Sequence, residues 1–180
     1  MLDRIFDVKG DAHRPNPDHK AYCKWLHMHL RAGKASGYLE CSIHPDWYVY
    51  STFKAWLTSH EGWRELEIDK DLMVPGNKVY GPDTCCLIPQ SLNAFLVDNL
   101  TSTGKLSGAF FQKRLKNKPY QAKVAVTNET GVWGQKHLGY FATELEAHNA
   151  WKKAKHERAC LLADGIEDQR IANALRTRYL

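Results

Sequence analysis

The chain has 180 residues, 43% of them hydrophobic and 25% charged, with a formal net charge of +5, enough for one medium domain or two small ones with real cores. No run approaches the ~20 apolar residues that span a bilayer, and the N-terminal MLDRIFDVKGDAH lacks the apolar centre of a secretory signal, so a soluble, cytoplasmic protein without membrane contact is expected. Five cysteines, an odd count without secretory context, favour free thiols in a reducing compartment over a disulfide framework.

Residues 1–17, which include DVKGDAHRPNP, read as an irregular arm. Asp18 then caps a predicted helix through about Arg31, with Tyr22, Trp25, Leu26 and Leu30 along one side. Gly33 and Gly37 end it. Tyr38–Ile43 and Trp47–Tyr50 carry strand-like residues around a His44-Pro45-Asp46 turn, and Phe53, Trp56 and Leu57 suggest a second short helix. Ile68 leads into a hairpin whose return strand is Thr84–Ile88. Pro89 opens a third helix that buries Leu92, Phe95 and Leu96 and carries Asn93 beside that stripe.

This hairpin, IDKDLMVPGNKVYGPDTCCLIPQSLNAFL, holds the densest chemistry of the first half. A hard divalent cation on a DNA phosphate needs a few oxygen ligands from separate elements, with water completing its shell. Asp69 at a strand end and Asn93 on the following helix could supply two. Asn77 after Gly76 suits a tight loop whose side-chain amide holds the hairpin together. A blander reading stays open, in which Asp69 and Asp71 are surface acids and Asn93 an ordinary helix residue.

Asp69-Lys70-Asp71, Gly76-Asn77, Tyr80, Pro82, Cys85 and Asn93 resemble the HNH, or ββα-metal, nucleases, above all their phage homing-endonuclease-like branch. The resemblance implies a catalytic set of Asp69, Lys70 and Asn93, with Asp69 and Asn93 holding magnesium or manganese and Asn77 as the structural loop residue. It also implies a histidine general base where this chain has Lys70. Neutral imidazole takes a proton from water near pH 7; an ammonium with an ordinary pKa of roughly 10.4 does not. The departure favours binding over cleavage, and His44, on its loop, is the residue best placed to replace the missing base. Structural zinc on Cys23, His27, Cys41, His44 and Cys85-Cys86 is disfavoured, since paired C-x-x-C knuckles are absent.

LTSTGKLSG at 100–108 marks a boundary, with a linker at 101–106. Residues 1–100 hold 11 Lys/Arg against 13 Asp/Glu, and residues 101–180 hold 14 against 7, so the basic character lies in the second half. Between Asp98 and Glu129 there is no acid, while Lys105, Lys113, Arg114, Lys116, Lys118 and Lys123 are interleaved with Phe110, Phe111 and Tyr120. That pattern suits phosphate binding. GAFFQKRLKN, PYQAKVAVTN and GQKHLGYFAT read as three strands, followed by a helix that Thr143 and Glu146 open as a capping box. Leu145, Ala147, Ala150, Trp151, Ala154, Leu161 and Leu162 are its expected apolar side.

PYQAKV followed by HLGYFATELEAHNAWKKAK resembles the plant ethylene-response-factor (APETALA-type) DNA-binding domain over roughly residues 107–160. The resemblance implies that the exposed face of the three strands enters the major groove of double-stranded DNA, through Lys113, Arg114, Lys116, Lys118, Gln121, Lys123, Trp133 and Lys136. The arginine-rich first strand of the plant domains is missing, so only the mode of binding transfers. Residues 164–180 suit a terminal helix that packs, dimerises or touches phosphate.

The fold expected is therefore α+β: an N-terminal HNH-like ββα-metal module at 18–100, then a three-stranded antiparallel sheet packed on a helix at 107–163, then a C-terminal helix. The function expected is metal-dependent phosphodiester cleavage of duplex DNA, one centre nicking a strand or pairing in a homodimer to cut both. The alternative is a catalytically weak or inactive DNA-binding protein, acting as a regulator or host-takeover factor.

Overall fold

A computed structural model describes residues 3–98, 106–127 and 133–180. The protein is α+β, with five helices and three small sheets among these residues. It divides into two compact units, residues 1–93 and 94–180. The linker expected at 101–106 lies, except for Leu106, outside the described residues. No described helix is long and apolar enough to cross a membrane.

Unit 1 is built around aromatic side chains. Helix α1 (His19–Arg31) and helix α2 (Tyr50–Thr58) bury Trp25, Met28, Tyr50, Phe53 and Leu57, all at 2% exposure or less, around a fully buried Trp47. Each such side chain contributes about 1.5–3 kcal/mol by leaving water. The Trp47 carbonyl accepts hydrogen bonds from Trp25 Nε1 (2.7 Å) and from His29 Nε2 (3.0 Å), so two polar groups are satisfied inside the core. His29, whose ordinary titration burial pushes downward, is thus a packing residue.

Several local expectations change. Leu30 is half exposed while Met28 and His29 are buried, so the buried side of α1 is rotated from the predicted stripe. Asp18 stands at the N-cap without a capping bond; its carboxylate pairs with Lys54 and Arg64 at 2.9 Å each. Trp47 and Tyr48 lie in a 3-10 turn (Pro45–Tyr48) and Tyr50 opens α2, so no strand forms at 47–50. The N-terminal stretch is packed rather than loose: Ile5 bridges to Val49, Phe6 stacks among Tyr22, Trp25 and Tyr50, and Asp11 is 3% exposed.

Two short ribbons complete this unit. Strand β1 (Ser42–Ile43) pairs in parallel with β3 (Val79–Tyr80), and β2 (Leu66–Asp69) pairs antiparallel with β4 (Cys86–Pro89). Helix α3 (Gln90–Leu96) follows β4 directly, and the division between the units falls within it.

Unit 2 holds an antiparallel sheet in the order β5 (Ala109–Phe111), β6 (Tyr120–Thr127), β7 (Trp133–Phe141). Helix α4 (Glu144–Ala163) carries the capping box, Thr143 accepting from the Glu146 N–H while Glu146 accepts from that of Thr143. Ala147 of α4 is buried with Ala109 and Ala122, so small side chains bring helix and sheet close. Helix α5 (Gln169–Thr177) packs on α4 through Ile171, Ala172 and Leu175. The buried line of α4 is Ala147, Trp151, Lys155, Ala159 and Ala163; Leu145 and Leu161, expected inside, are 57% and 65% exposed.

Candidate functional site

In the hairpin of unit 1, Leu66 opposes Pro89 and Asp69 opposes Cys86. Ile68 and Leu87 face the aromatic core. Alternation then puts Asp69, Cys86 and Ile88 on the other side of the ribbon, where Ile88 is 1% and Cys86 8% exposed. Asp69 itself is 9% exposed. Its Oδ1 accepts from the N–H groups of Asp71 (3.0 Å) and Leu72 (2.7 Å), an Asx-type turn that fixes the carboxylate where the strand ends.

Lys70 has a side chain only 11% exposed, and its ammonium donates to Asp71 Oδ2 (3.1 Å) and to the Asn77 carbonyl (3.2 Å). Asn77 closes the loop as expected: Nδ2 donates to the carbonyls of Lys70 (2.6 Å) and Val79 (2.7 Å), and Oδ1 accepts from the Val79 N–H (3.1 Å). Gly76 before it has φ +77, a backbone that favours glycine. Asp69, Lys70 and Asn77 are therefore tied into one loop. Asn93 sits on α3, half-buried, beside the buried Leu92.

His44, the residue expected to replace the missing base, is tied to the segment after this loop: its N–H donates to the Tyr80 carbonyl at 2.7 Å, and its side chain lies beside Gly81. Its Nδ1 accepts from the Asp46 N–H at 3.3 Å. His27 is exposed on α1. Cys85 is 8% exposed and burial pushes its thiol up to about 11, the opposite of what a metal-binding thiolate needs. Cys23 bonds to His19 at 3.4 Å. Among the described residues no three His, Cys, Asp or Glu side chains gather around a common point. The carboxylate of Asp69 and the amide oxygen of Asn93 are each, in kind, donors that would suit magnesium or manganese rather than zinc.

In unit 2, Ala109, Ala122 and Val124 face inward at 4% exposure or less. Their neighbours Phe110, Gln121 and Lys123 therefore occupy the outer face. Across that face runs a polar chain: Gln112 Nε2 donates to Gln121 Oε1 (3.2 Å), while Gln121 Nε2 contacts His137 Nδ1 (3.0 Å) and Tyr140 Oη (3.5 Å). Lys123 lies 5.8 Å from the Phe110 ring centroid, and the rings of His137 and Tyr140 are 4.7 Å apart.

The strand positions expected to carry the charge are corrected. Strand β5 ends at Phe111, so Lys113, Arg114, Lys116 and Lys118 all lie in the exposed β5–β6 loop. That loop is folded on itself, Gln112 N–H donating to the Pro119 carbonyl (2.6 Å) and Leu115 N–H to that of Gln112 (3.0 Å). Lys136 opposes the buried Val124 and so shares the helix-side face rather than the outer one. The reason is a bulge in β7: Ala122 pairs with Gly139 but Lys123 pairs with His137, and the extra residue turns Lys136 over. Gly139, at φ +139, supplies the backbone for it. The side chain of Trp133 lies outside the described residues.

Gln112, His137 and Tyr140 do not stand out in the sequence. Gln112 follows β5 directly and continues its alternation, so period-two reading could have found it; His137 and Tyr140 are three apart on one face only because of the bulge. No family model, curated protein or solved structure matches the chain.

Proposed function

We propose that the chain is a duplex-DNA-binding protein of the HNH endonuclease-like kind, docking through the outer face of the unit 2 sheet and its β5–β6 loop. The observation that carries this reading is the loop: Lys113, Arg114, Lys116 and Lys118 are exposed on one short folded turn, within the stretch between Asp98 and Glu129 that holds no acid. Cations gathered on a turn whose backbone is closed by its own hydrogen bonds meet phosphates without first being ordered. Gln121 and Lys123 stand on the adjoining outer face, where amide and ammonium groups suit base edges and backbone oxygens. The three-stranded sheet backed by α4 is the arrangement that the APETALA-type resemblance implies.

Cleavage is a second reading, supported by the order strand, pinned loop, strand, helix at 66–96 and by the anchored carboxylate of Asp69. Asp69 and Asn93 would hold the divalent ion, which when bound supplies positive charge to a scissile phosphate. Asn77 fixes the loop that presents Asp69. Lys70 remains the obstacle, since its ammonium, bonded to Asp71 and the Asn77 carbonyl, holds a proton where a base should accept one. It would add fixed charge for DNA capture instead.

The test measures binding to a 20-base-pair duplex over a salt series, together with nicking of supercoiled plasmid in magnesium and manganese. Wild type should bind with a steep salt dependence, and Lys113→Ala/Arg114→Ala should flatten the slope by about 0.9 for each phosphate that is no longer neutralised. Affinity indifferent to salt, or unchanged in that variant, rejects the docking surface. Plasmid left intact in both metals by a protein that binds DNA rejects cleavage alone.

A further inference from the structure

Where the β5–β6 loop comes up to β7, Leu115, Lys116, Asn117, Lys118 and Tyr140 line a shallow concavity. We propose that it receives a single unstacked nucleotide of DNA, so that the protein prefers a duplex carrying an extrahelical base to an intact one. The inference rests on the DNA-binding reading and specifies the form of DNA recognised.

Each lining residue matches one part of such a nucleotide. Tyr140 is 44% exposed, although it stands in a sheet whose inner face is buried, and Leu115 at 37% exposure adds a second apolar wall. An open aromatic face beside an aliphatic one suits a nucleobase, which gains from stacking whatever its identity. Lys116 and Lys118 flank Asn117 in sequence and are exposed, which places two ammonium groups at the rim, where the flanking phosphates would pass. Asn117 adds an amide with both donor and acceptor capacity for a base edge.

The ring is also held in position. Its hydroxyl is 3.5 Å from Gln121 Nε2 and its ring lies tilted at 55° to that of His137 with centroids 4.7 Å apart, so both contacts restrain it. A tyrosine restrained by two neighbours yet 44% exposed suits a preorganised stacking platform. A base stacked inside a duplex has both faces covered by its neighbours and cannot lay one on the Tyr140 ring. An extrahelical base can.

The experiment compares the affinity of the full chain, by fluorescence anisotropy, for a 20-base-pair duplex and for the same duplex with one bulged 2-aminopurine, with adenosine monophosphate as competitor. Wild type should bind the bulged duplex about tenfold more tightly, with quenching of the 2-aminopurine as it stacks. Tyr140→Leu should abolish both the preference and the quenching, and Tyr140→Phe should keep them, which separates loss of the ring from loss of the fold. Equal affinity of wild type for the two duplexes, or a preference that survives Tyr140→Leu, overturns the proposal while leaving duplex binding intact. Failure to bind either duplex overturns the DNA-binding reading along with it. Millimolar adenosine monophosphate should compete with the bulged duplex alone, and competition equal against both duplexes would place the preference outside the concavity and overturn the proposal.

Discussion

Gly108 lies directly against the indole of Trp151: a Cβ built on Gly108 would overlap the Cβ, Cγ and Cδ1 atoms of that side chain. Gly108 also has φ +76, which side chains rarely adopt. The chain enters β5 at the next residue, so this contact fixes where the sheet begins on α4. Gly108→Ala should destabilise unit 2 by about 3 kcal/mol or more, since overpacking and backbone strain act together. Urea denaturation followed by Trp fluorescence would measure it, and a loss below about 1 kcal/mol would show that Trp151 can move aside.

Four residues further along α4, Lys155 is 4% exposed, with its ammonium 3.1 Å from Asp98 and within 4.1 to 5.6 Å of the ring centroids of Phe95, Tyr179 and Trp151. It also donates to the Phe95 carbonyl. Burial depresses its pKa, with Asp98 opposing. In the window between that lowered pKa and roughly 10.4, the unfolded chain binds more protons than the folded one, so stability rises with pH. Lys155→Met should cost about 3 kcal/mol at neutral pH by leaving Asp98 and the Phe95 carbonyl short of a donor. It should also lose that upward slope below roughly pH 10.4, which thermal melts at alkaline pH would show.

This lysine explains why hydropathy misplaces the buried side of α4. A line at strict four-residue spacing runs Ala147, Trp151, Lys155, Ala159, Ala163, and hydropathy cannot recognise a buried face centred on a charge and built from alanines. The leucines are the natural choice for the core, yet two of them point to solvent. The capping box is readable because it is a local exchange of hydrogen bonds between residues three apart. The same division holds at the candidate sites. Asn77 after Gly76 is legible as a loop clasp, since its partners are close in sequence. The outer-face chain from Gln112 to Tyr140 is not, because it depends on strand register and on one bulge, neither of which the spacing of residues records. Trp47–Tyr50 resembles a strand in composition, yet only Val49 stays extended while Trp47 and Tyr48 form a 3-10 turn and Tyr50 opens α2, because tertiary packing outweighs weak β propensity.

Asp11 anchors the N-terminal stretch of unit 1. It accepts from Tyr50 Oη (2.7 Å), Lys54 Nζ (2.7 Å) and Asn16 Nδ2 (3.2 Å). Burial would raise its pKa, but the bonds from Lys54 and Tyr50 outweigh it and hold the carboxyl below its usual value. Its contribution is therefore present above about pH 4 and lost as pH falls through the lowered pKa. Asp11→Asn should cost about 3 kcal/mol at pH 7, and the gap to wild type should close in melts carried into the acid range.

Asn77→Ala removes three short hydrogen bonds from the loop between β2 and β3, two of them to backbone carbonyls. The expected loss is about 2 kcal/mol, with faster amide exchange at Val79, whose N–H then faces solvent. Asn77→Asp is the sharper variant: it keeps an acceptor for Val79 but turns a second oxygen towards the carbonyls of Lys70 and Val79. It should be at least as destabilising as alanine. An aspartate that restores wild-type stability would mean that the donors of Asn77 contribute nothing.

Lys70 decides between the two readings of the hairpin, because it is the one position where the side chain opposes the chemistry that its neighbours suit. Asp69 is fixed by two backbone N–H groups whatever residue follows it, and the Asn77 amide grips the Lys70 backbone rather than its ammonium. Lys70→His should therefore leave the loop framework standing while placing a group with a pKa of about 6.5 beside Asp69. If the hairpin is a nuclease scaffold lacking its base, Lys70→His should nick supercoiled plasmid in magnesium or manganese where wild type does not. Adding Asp69→Ala to that variant should remove the activity. A Lys70→His protein that binds DNA as wild type does and still leaves plasmid intact in both metals would reduce the hairpin to a structural ribbon, with the function resting on the cationic turn of unit 2.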